Sequence, residues 1–204
     1  MDLLLTRAEV LRPDGMAVSE VAVSEGVFRD IDSRSMRRVD LSGYRLLPGI
    51  VDIHGDGFER HLAPRRGVMK DFSEGLRAVD AELAANGITT AMLAQFWSWE
   101  GGMRGPEHAV RLADALAATP DLRADIKMQL RFETHMLDDY AAMEALVERA
   151  GIGFVVLNDH VPHDALIKGK RPPRMTGQAL KGGRSPEAHL ELLKQLHANG
   201  TQVP

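Results

Sequence analysis

In the stretch LLPGIVDIHGDGFERH, an apolar run ends in His54 and Asp56, two positions apart. Alternate residues of a strand point the same way, so an imidazole and a carboxylate at this spacing can present themselves to one ion from a strand end. Gly55 and Gly57 let the backbone bend around it. Three further apolar segments end in QFWSWE, RFETH and NDH, which adds Glu133, His135, Asp159 and His160 to the candidates. Nitrogen and oxygen donors of this kind suit one or two divalent ions such as zinc, manganese, iron or nickel. The chain has no cysteine, which excludes thiolate metal sites, disulfides and cysteine nucleophiles. Any one of these residues alone is explained by turn chemistry; at three strand ends together they favour a shared site. His135 fits the start of the next helix equally well, and Asp159 fits a loop residue or a hydrogen-bonding partner of a ligand.

The elements that must position these groups follow from the apolar pattern. Over 1–47, LLLT, MAVSEVAVS and GVFRDI read as short strands of a small, partial β-sandwich-like subdomain. From Pro48 to the end, strand-like runs alternate with amphipathic helices, the pattern of βα units and a parallel sheet. Four units are expected. Strand 49–53 is followed by a helix over about 70–86, with Leu76, Val79 and Leu83 on one face. Strand 89–96 is followed by a helix that opens at Pro106 and stops before Pro120. Strand 126–132 is followed by a helix closed by Gly151, and strand 153–158, read as buried on both faces, by a basic loop and a helix over about 186–199.

Parallel α/β folds bind ligands at the carboxyl ends of their strands, which gives the polar strand ends added weight. A closed barrel of eight βα units takes about 250 residues. Four units make an open sheet or half a barrel, and the fold class expected from the pattern is α/β with a small N-terminal β subdomain. Half a barrel leaves its first and fourth strands with bare edges, which pair with other chains, so a homo-oligomer is expected.

The formal charge of −4 and 44% hydrophobic content describe a globular chain without a broad nucleic-acid surface. The segment 163–185 is locally basic, with Lys168, Lys170, Arg171, Arg174, Lys181 and Arg184 against Asp164. It reads as a clamp for a polyphosphate or as a solvated loop. Arg60 and His61, close behind the metal motif, and Arg131, two before Glu133, are further candidates for meeting an anionic substrate; ion pairing with neighbouring carboxylates explains them too. Trp97 and Trp99 read as packing at a strand end. No apolar run approaches the roughly 18 residues of a membrane span, and the first residues lack secretory-signal features, so a cytoplasmic protein without membrane or nucleic-acid partners is expected.

The segment LLPGIVDIHGD resembles the first barrel strand of the amidohydrolase superfamily, where a proline-glycine pair, an apolar strand and a His-x-His or His-x-Asp motif hold a divalent ion. More narrowly, HGDGFERH, RFE and NDHVP resemble the phosphonate-metabolism branch, the ribose 1-methylphosphonate 5-triphosphate diphosphatases. The resemblance implies the N-terminal half of a TIM (β/α)8 barrel behind the small N-terminal β subdomain, with His54, Asp56, Glu133 and His160 as metal ligands. It implies hydrolysis of a ribose triphosphate carrying a methylphosphonate to the 5-phosphate and pyrophosphate. Hydrolysis of an amide or cyclic imide at the same metal, or a non-catalytic binding role, are the alternatives. The superfamily also uses histidines of the fifth and sixth strands and an aspartate of the eighth. The general base is therefore expected beyond Pro204, and the 204-residue chain alone is expected to be inactive.

Overall fold

The computed structural model describes residues 2–29, 35–65 and 68–204. The chain divides into two compact units, Met1–Gly49 and Ile50–Pro204. In the first, β1 (Leu3–Arg12) and β2 (Gly15–Ser24) form an antiparallel hairpin, and β3 (Val27–Arg29) pairs antiparallel with β2. β4 (Arg37–Asp40) and β5 (Arg45–Leu46) run parallel to β1. Leu4, Thr6, Ala8 and Val10 are buried while their neighbours are not, the alternation expected of a half-buried strand. A bulge between Leu5 and Ala8 interrupts the pairing. The small core here is Leu4, Ala22 and Met36. Of the expected strand GVFRDI, Asp30 and Ile31 lie outside the described residues.

The second unit is built on a four-stranded parallel sheet in the order β6 (Ile50–Gly55), β7 (Ile88–Trp97), β8 (Asp125–Glu133), β9 (Phe154–Asn158). The helices that join successive strands are α2 (Phe72–Ala85), α3 (Pro106–Ala117) and α4 (Tyr140–Ala150). Local chemistry sets their ends. Asp71 caps α2 by accepting from the Ser73 and Glu74 amides, Pro106 occupies the first turn of α3, and Gly151 ends α4 in the left-handed region at φ 61°. Before α2, the single turn α1 (Glu59–Leu62) lies so close that a Cβ at Gly75 would overlap Leu62.

These helices bury their apolar faces on one side of the sheet. Leu76 and Val79 of α2, Leu112 of α3 and Leu146 of α4 pack with Leu93, Trp97, Leu130 and Phe132 of β7 and β8. Each large side chain sealed here contributes roughly 1.5–3 kcal/mol. Because strand side chains alternate, Leu130 and Phe132 toward the helices leave Gln129, Arg131 and Glu133 on the opposite face. The expected α/β class with a parallel half-barrel sheet and a separate small β region is therefore what the chain adopts.

Two details differ. β9 is only half-buried, with Leu157 65% exposed, because it lies at the edge of the sheet. The basic segment after β9 carries two short helices, α5 (His163–Ile167) and α6 (Met175–Lys181), before α7 (Pro186–Ala198). Met175 and Leu193 anchor α6 and α7 in a second apolar cluster with Trp99 and Val161. Among the described residues, no helix is long and apolar enough to cross a membrane.

Candidate functional site

His54 ends the edge strand β6 and is exposed. Gln129 of β8 donates from its amide nitrogen to the Ile53 carbonyl (2.7 Å) and turns its oxygen to His54 Nδ1 (2.8 Å). An amide oxygen only accepts, so His54 Nδ1 carries the hydrogen and Nε2 keeps its lone pair. That is the arrangement a metal-ligating imidazole needs, with its other nitrogen anchored by a hydrogen bond.

Glu133, at the end of β8, is fully buried. A carboxylate taken out of water is costly unless compensated. Its Oε2 accepts from the Trp99 indole (3.3 Å) and the His160 amide (3.1 Å), and its Oε1 meets His160 Nδ1 at 2.5 Å. The third and fourth strand ends are thus tied together by a carboxylate and an imidazole. Asp56 is exposed. Burial first pushes the neighbouring Glu59 carboxyl up, against the pull of Arg104 and Lys181, and the charge of Asp56 adds to the rise.

Phe96, near the end of β7, sits 6.2 Å from the His160 ring, centroid to centroid. Two guanidinium groups share its ring, Arg131 at 4.2 Å and Arg104 at 4.4 Å. Arg104 is neutralised by a forked contact to Glu100 at 3.0 and 3.1 Å. Arg131 keeps its buried Nε without a hydrogen-bond partner among the described residues. Of the residues expected to meet substrate, Arg131 stacks on Phe96, the ring that also neighbours His160.

The others have different surroundings. α1 turns Arg60 and His61 onto Glu82 of α2, whose carboxyl is held below its usual range by the His61 hydrogen bond first and the Arg60 charge second. Lys168 is exposed at the end of α5. Lys170 and Arg171 line a groove of about 440 Å³ with Glu187, Leu190 and Lys194 of α7. Among the described residues, His54, Asp56 and Glu133 are not gathered into one set of donor atoms within 4.8 Å of one another; the set so gathered is His135, Asp159 and His163.

Sequence reasoning passed over Gln129, Arg104 and His163. Gln129 was within reach, since it stands four residues before Glu133 in one strand and so shares its face. Arg104 arrives by the turn after WSWEGG, where Gly101 and Gly102 take positive φ. His163 depends on contacts between distant segments.

No family model matches the chain. A curated relative, alpha-D-ribose 1-methylphosphonate 5-triphosphate diphosphatase of Escherichia coli (strain K12), is 30% identical over 140 residues, which cover 66% of this chain and 37% of that protein. The resemblance carried by HGDGFERH, RFE and NDHVP is thus matched by identity across much of the chain. Among solved structures, a chain of the formyltransferase/hydrolase complex (FhcABCD) from Methylorubrum extorquens is 18% identical, with a TM-score of 0.55 over 96% of this chain and 40% of that one. That likeness is one of fold. Dihydropyrimidinase from Brevibacillus agri NCHU1002 is 18% identical, with a TM-score of 0.48 over 100% of this chain and 50% of its own. The chain therefore spans half or less of the length of these proteins.

Proposed function

We propose that the strand ends of the second unit belong to a metal-dependent hydrolase of the amidohydrolase type. It cleaves a phosphoanhydride of a small anionic substrate, alpha-D-ribose 1-methylphosphonate 5-triphosphate, and releases pyrophosphate. On this reading β6 to β9 and their helices are the first four βα units of an eight-unit barrel, and the protein works in the cytoplasm as a homo-oligomer. The observation that carries the reading is the grouping at the strand ends: a buried carboxylate on an imidazole, Glu133 with His160, beside the partnerless Nε of Arg131. The relative from Escherichia coli supplies the substrate class.

His54, Asp56, Glu133 and His160 would hold the divalent ion on drawing together from the positions they have in this structure, and the neutral His54 ring, with its hydrogen on Nδ1, leaves Nε2 for ligation. A divalent ion at such donors supplies a Lewis acid and a hydroxide at neutral pH. The chain's own residues then have separable tasks. Gln129 fixes the His54 ring, and Trp99 and the His160 amide fix the Glu133 carboxylate. Arg131 offers a fork of N–H donors to phosphate oxygens, oriented by stacking on Phe96. Lys168, Lys170 and Arg171 extend the positive field from the segment that follows. A substrate contact by Arg60 or His61 would require either residue to leave Glu82.

The test is pyrophosphate release by the full-length protein in the presence of a divalent ion. His54→Ala should lower the rate by more than about 100-fold, and Arg131→Ala should raise KM about tenfold or more. Undiminished release by His54→Ala would overturn the reading. So would turnover of a cyclic imide that pyrophosphate does not inhibit.

A further inference from the structure

Just beyond Glu133 the chain turns through Thr134 into His135, and just beyond β9 it passes Asp159 on its way to His163, the first residue of α5. We propose that His135, Asp159 and His163 form a binding site for a divalent ion of the zinc class, separate from the strand-end ligands and oriented by His197 of α7. This inference stands apart from the hydrolase reading and uses none of its ligands.

The spacing of the donors is that of a metal site. Donor atoms of a tetrahedral site with bonds of about 2.1 Å stand about 3.4 Å apart. His163 Nε2 lies 3.0 Å from each Asp159 oxygen, and His135 Nδ1 lies 3.5 Å from Oδ1. The longer separation is too great for a good hydrogen bond, so direct bonding does not explain why His135 faces Asp159. An ion between the three groups does. One donor atom from each residue falls within 4.8 Å of the other two.

Asp159 Oδ1 accepts from the Val161 amide at 3.1 Å, which fixes the carboxylate. His163 turns its Nδ1 to His197 Nδ1 at 2.6 Å, so one of the two nitrogens carries the shared hydrogen. With the hydrogen on His163 and the ring neutral, its Nε2 presents a lone pair toward the carboxylate, an arrangement that a cation between them completes. With the hydrogen on His197, Nε2–H donates to Asp159 and the place is closed by a proton. Loading the ion exchanges the second arrangement for the first: the Nε2 hydrogen of His163 leaves to solvent as the metal takes its place, the shared hydrogen passes from His197 Nδ1 to His163 Nδ1, and His197, now the acceptor, takes a proton from solvent on its own Nε2. A ligating histidine anchored through its other nitrogen is the usual design of such sites.

His135 is buried, whereas the Asp159 side chain is 46% exposed and that of His163 31%, so an ion and one water can enter from the Asp159 side. His135 Nε2 lies against Gly200, where an added Cβ would approach to 3.3 Å, leaving Nδ1 as the nitrogen on the ligand side. Two imidazoles and one carboxylate select zinc, cobalt or nickel over magnesium or calcium, and three protein donors leave a position for water.

The experiment is zinc titration of the metal-stripped full-length protein, with metal content measured after dialysis and the ring nitrogens of histidine followed by NMR in the wild type. The expected result is zinc-dependent displacement of the His135 and His163 ring resonances, and one fewer ion in His163→Ala than in wild type. His197→Ala should keep that ion with affinity about 10- to 100-fold lower. His54→Ala should keep it too, so that an ion lost there bears on the strand ends alone. Unmoved His135 and His163 resonances in the wild type would overturn the proposal whether or not the variants fold. A full wild-type complement of tightly held zinc in His163→Ala would also overturn it.

Discussion

Glu133→Ala is expected to destabilise the fold by about 3–5 kcal/mol, the combined effect of two N–H donors, that of Trp99 buried and that of His160 part-buried, left without an acceptor and a cavity where the side chain stood. Glu133 is fully sealed and is the acceptor for the Trp99 indole and the His160 amide, which come from segments after different strands. Each orphaned donor costs about 1–3 kcal/mol. Glu133→Gln keeps the volume and one acceptor oxygen, so it should lose less than half as much stability while disturbing the negative charge that His160 and a divalent ion would share. Urea unfolding followed by tryptophan fluorescence reads the difference, since Trp99 touches the altered group. An unfolding free energy for Glu133→Ala within about 1 kcal/mol of wild type would mean that the two N–H groups find other partners.

The second large effect is a loss of stability on mild acidification, carried by His108 of α3. Its ring is 6% exposed and packs on Phe72 at 5.1 Å, and its buried Nε2 has no hydrogen-bond partner among the described residues. Burial first, and the charge of Arg111 second, lower its pKa from 6.5 to about 4. The folded chain therefore keeps this ring neutral while the unfolded chain protonates it. The stabilisation is complete above pH 6.5 and drains away as pH falls toward about 4, a total on the order of 3 kcal/mol. At pH 5 about 2 kcal/mol should already be gone. The difference between wild type and His108→Leu, measured by urea unfolding at pH 7.5 and pH 5, isolates this ring from the other histidines, because the variant lacks only that titration. Equal pH dependence in the two proteins would show that the His108 site admits the charged ring.

The parts of the fold that were legible are those written in local pattern. The spacing of Leu76, Val79 and Leu83, the proline at 106, the glycine at 151 and the β-branched run before Asn158 set elements whose observed limits fall within about three residues of expectation. The segment after β9 was not legible in the same way. α5 has five residues and α6 seven, too short for an apolar period, and the prolines at 172 and 173 suggest loop. Burial of Met175 against Leu193 and Trp99, a tertiary contact, holds that segment in place.

The site divides along the same line. Glu133 and His160 were marked by their positions at strand ends, and the structure joins them. Arg60 and His61 were marked by nearness in sequence to His54, but a one-turn helix rotates them onto Glu82, a partner 21 and more residues away. His163 and His197 stand 34 residues apart and meet only because α5 and α7 are brought together. Strand periodicity tells which residues share a face; it says nothing about which loop a distant helix will touch.

The claim on which the functional reading rests is that the strand ends hold a divalent ion between His54 and the carboxylates. Anomalous diffraction at the zinc or manganese edge, from crystals of the metal-loaded full-length protein, tests it most directly. The expected result is a peak about 2.0–2.2 Å from His54 Nε2 and from a carboxylate oxygen of Asp56 or Glu133. A loaded protein with anomalous peaks elsewhere and none at His54 would contradict it.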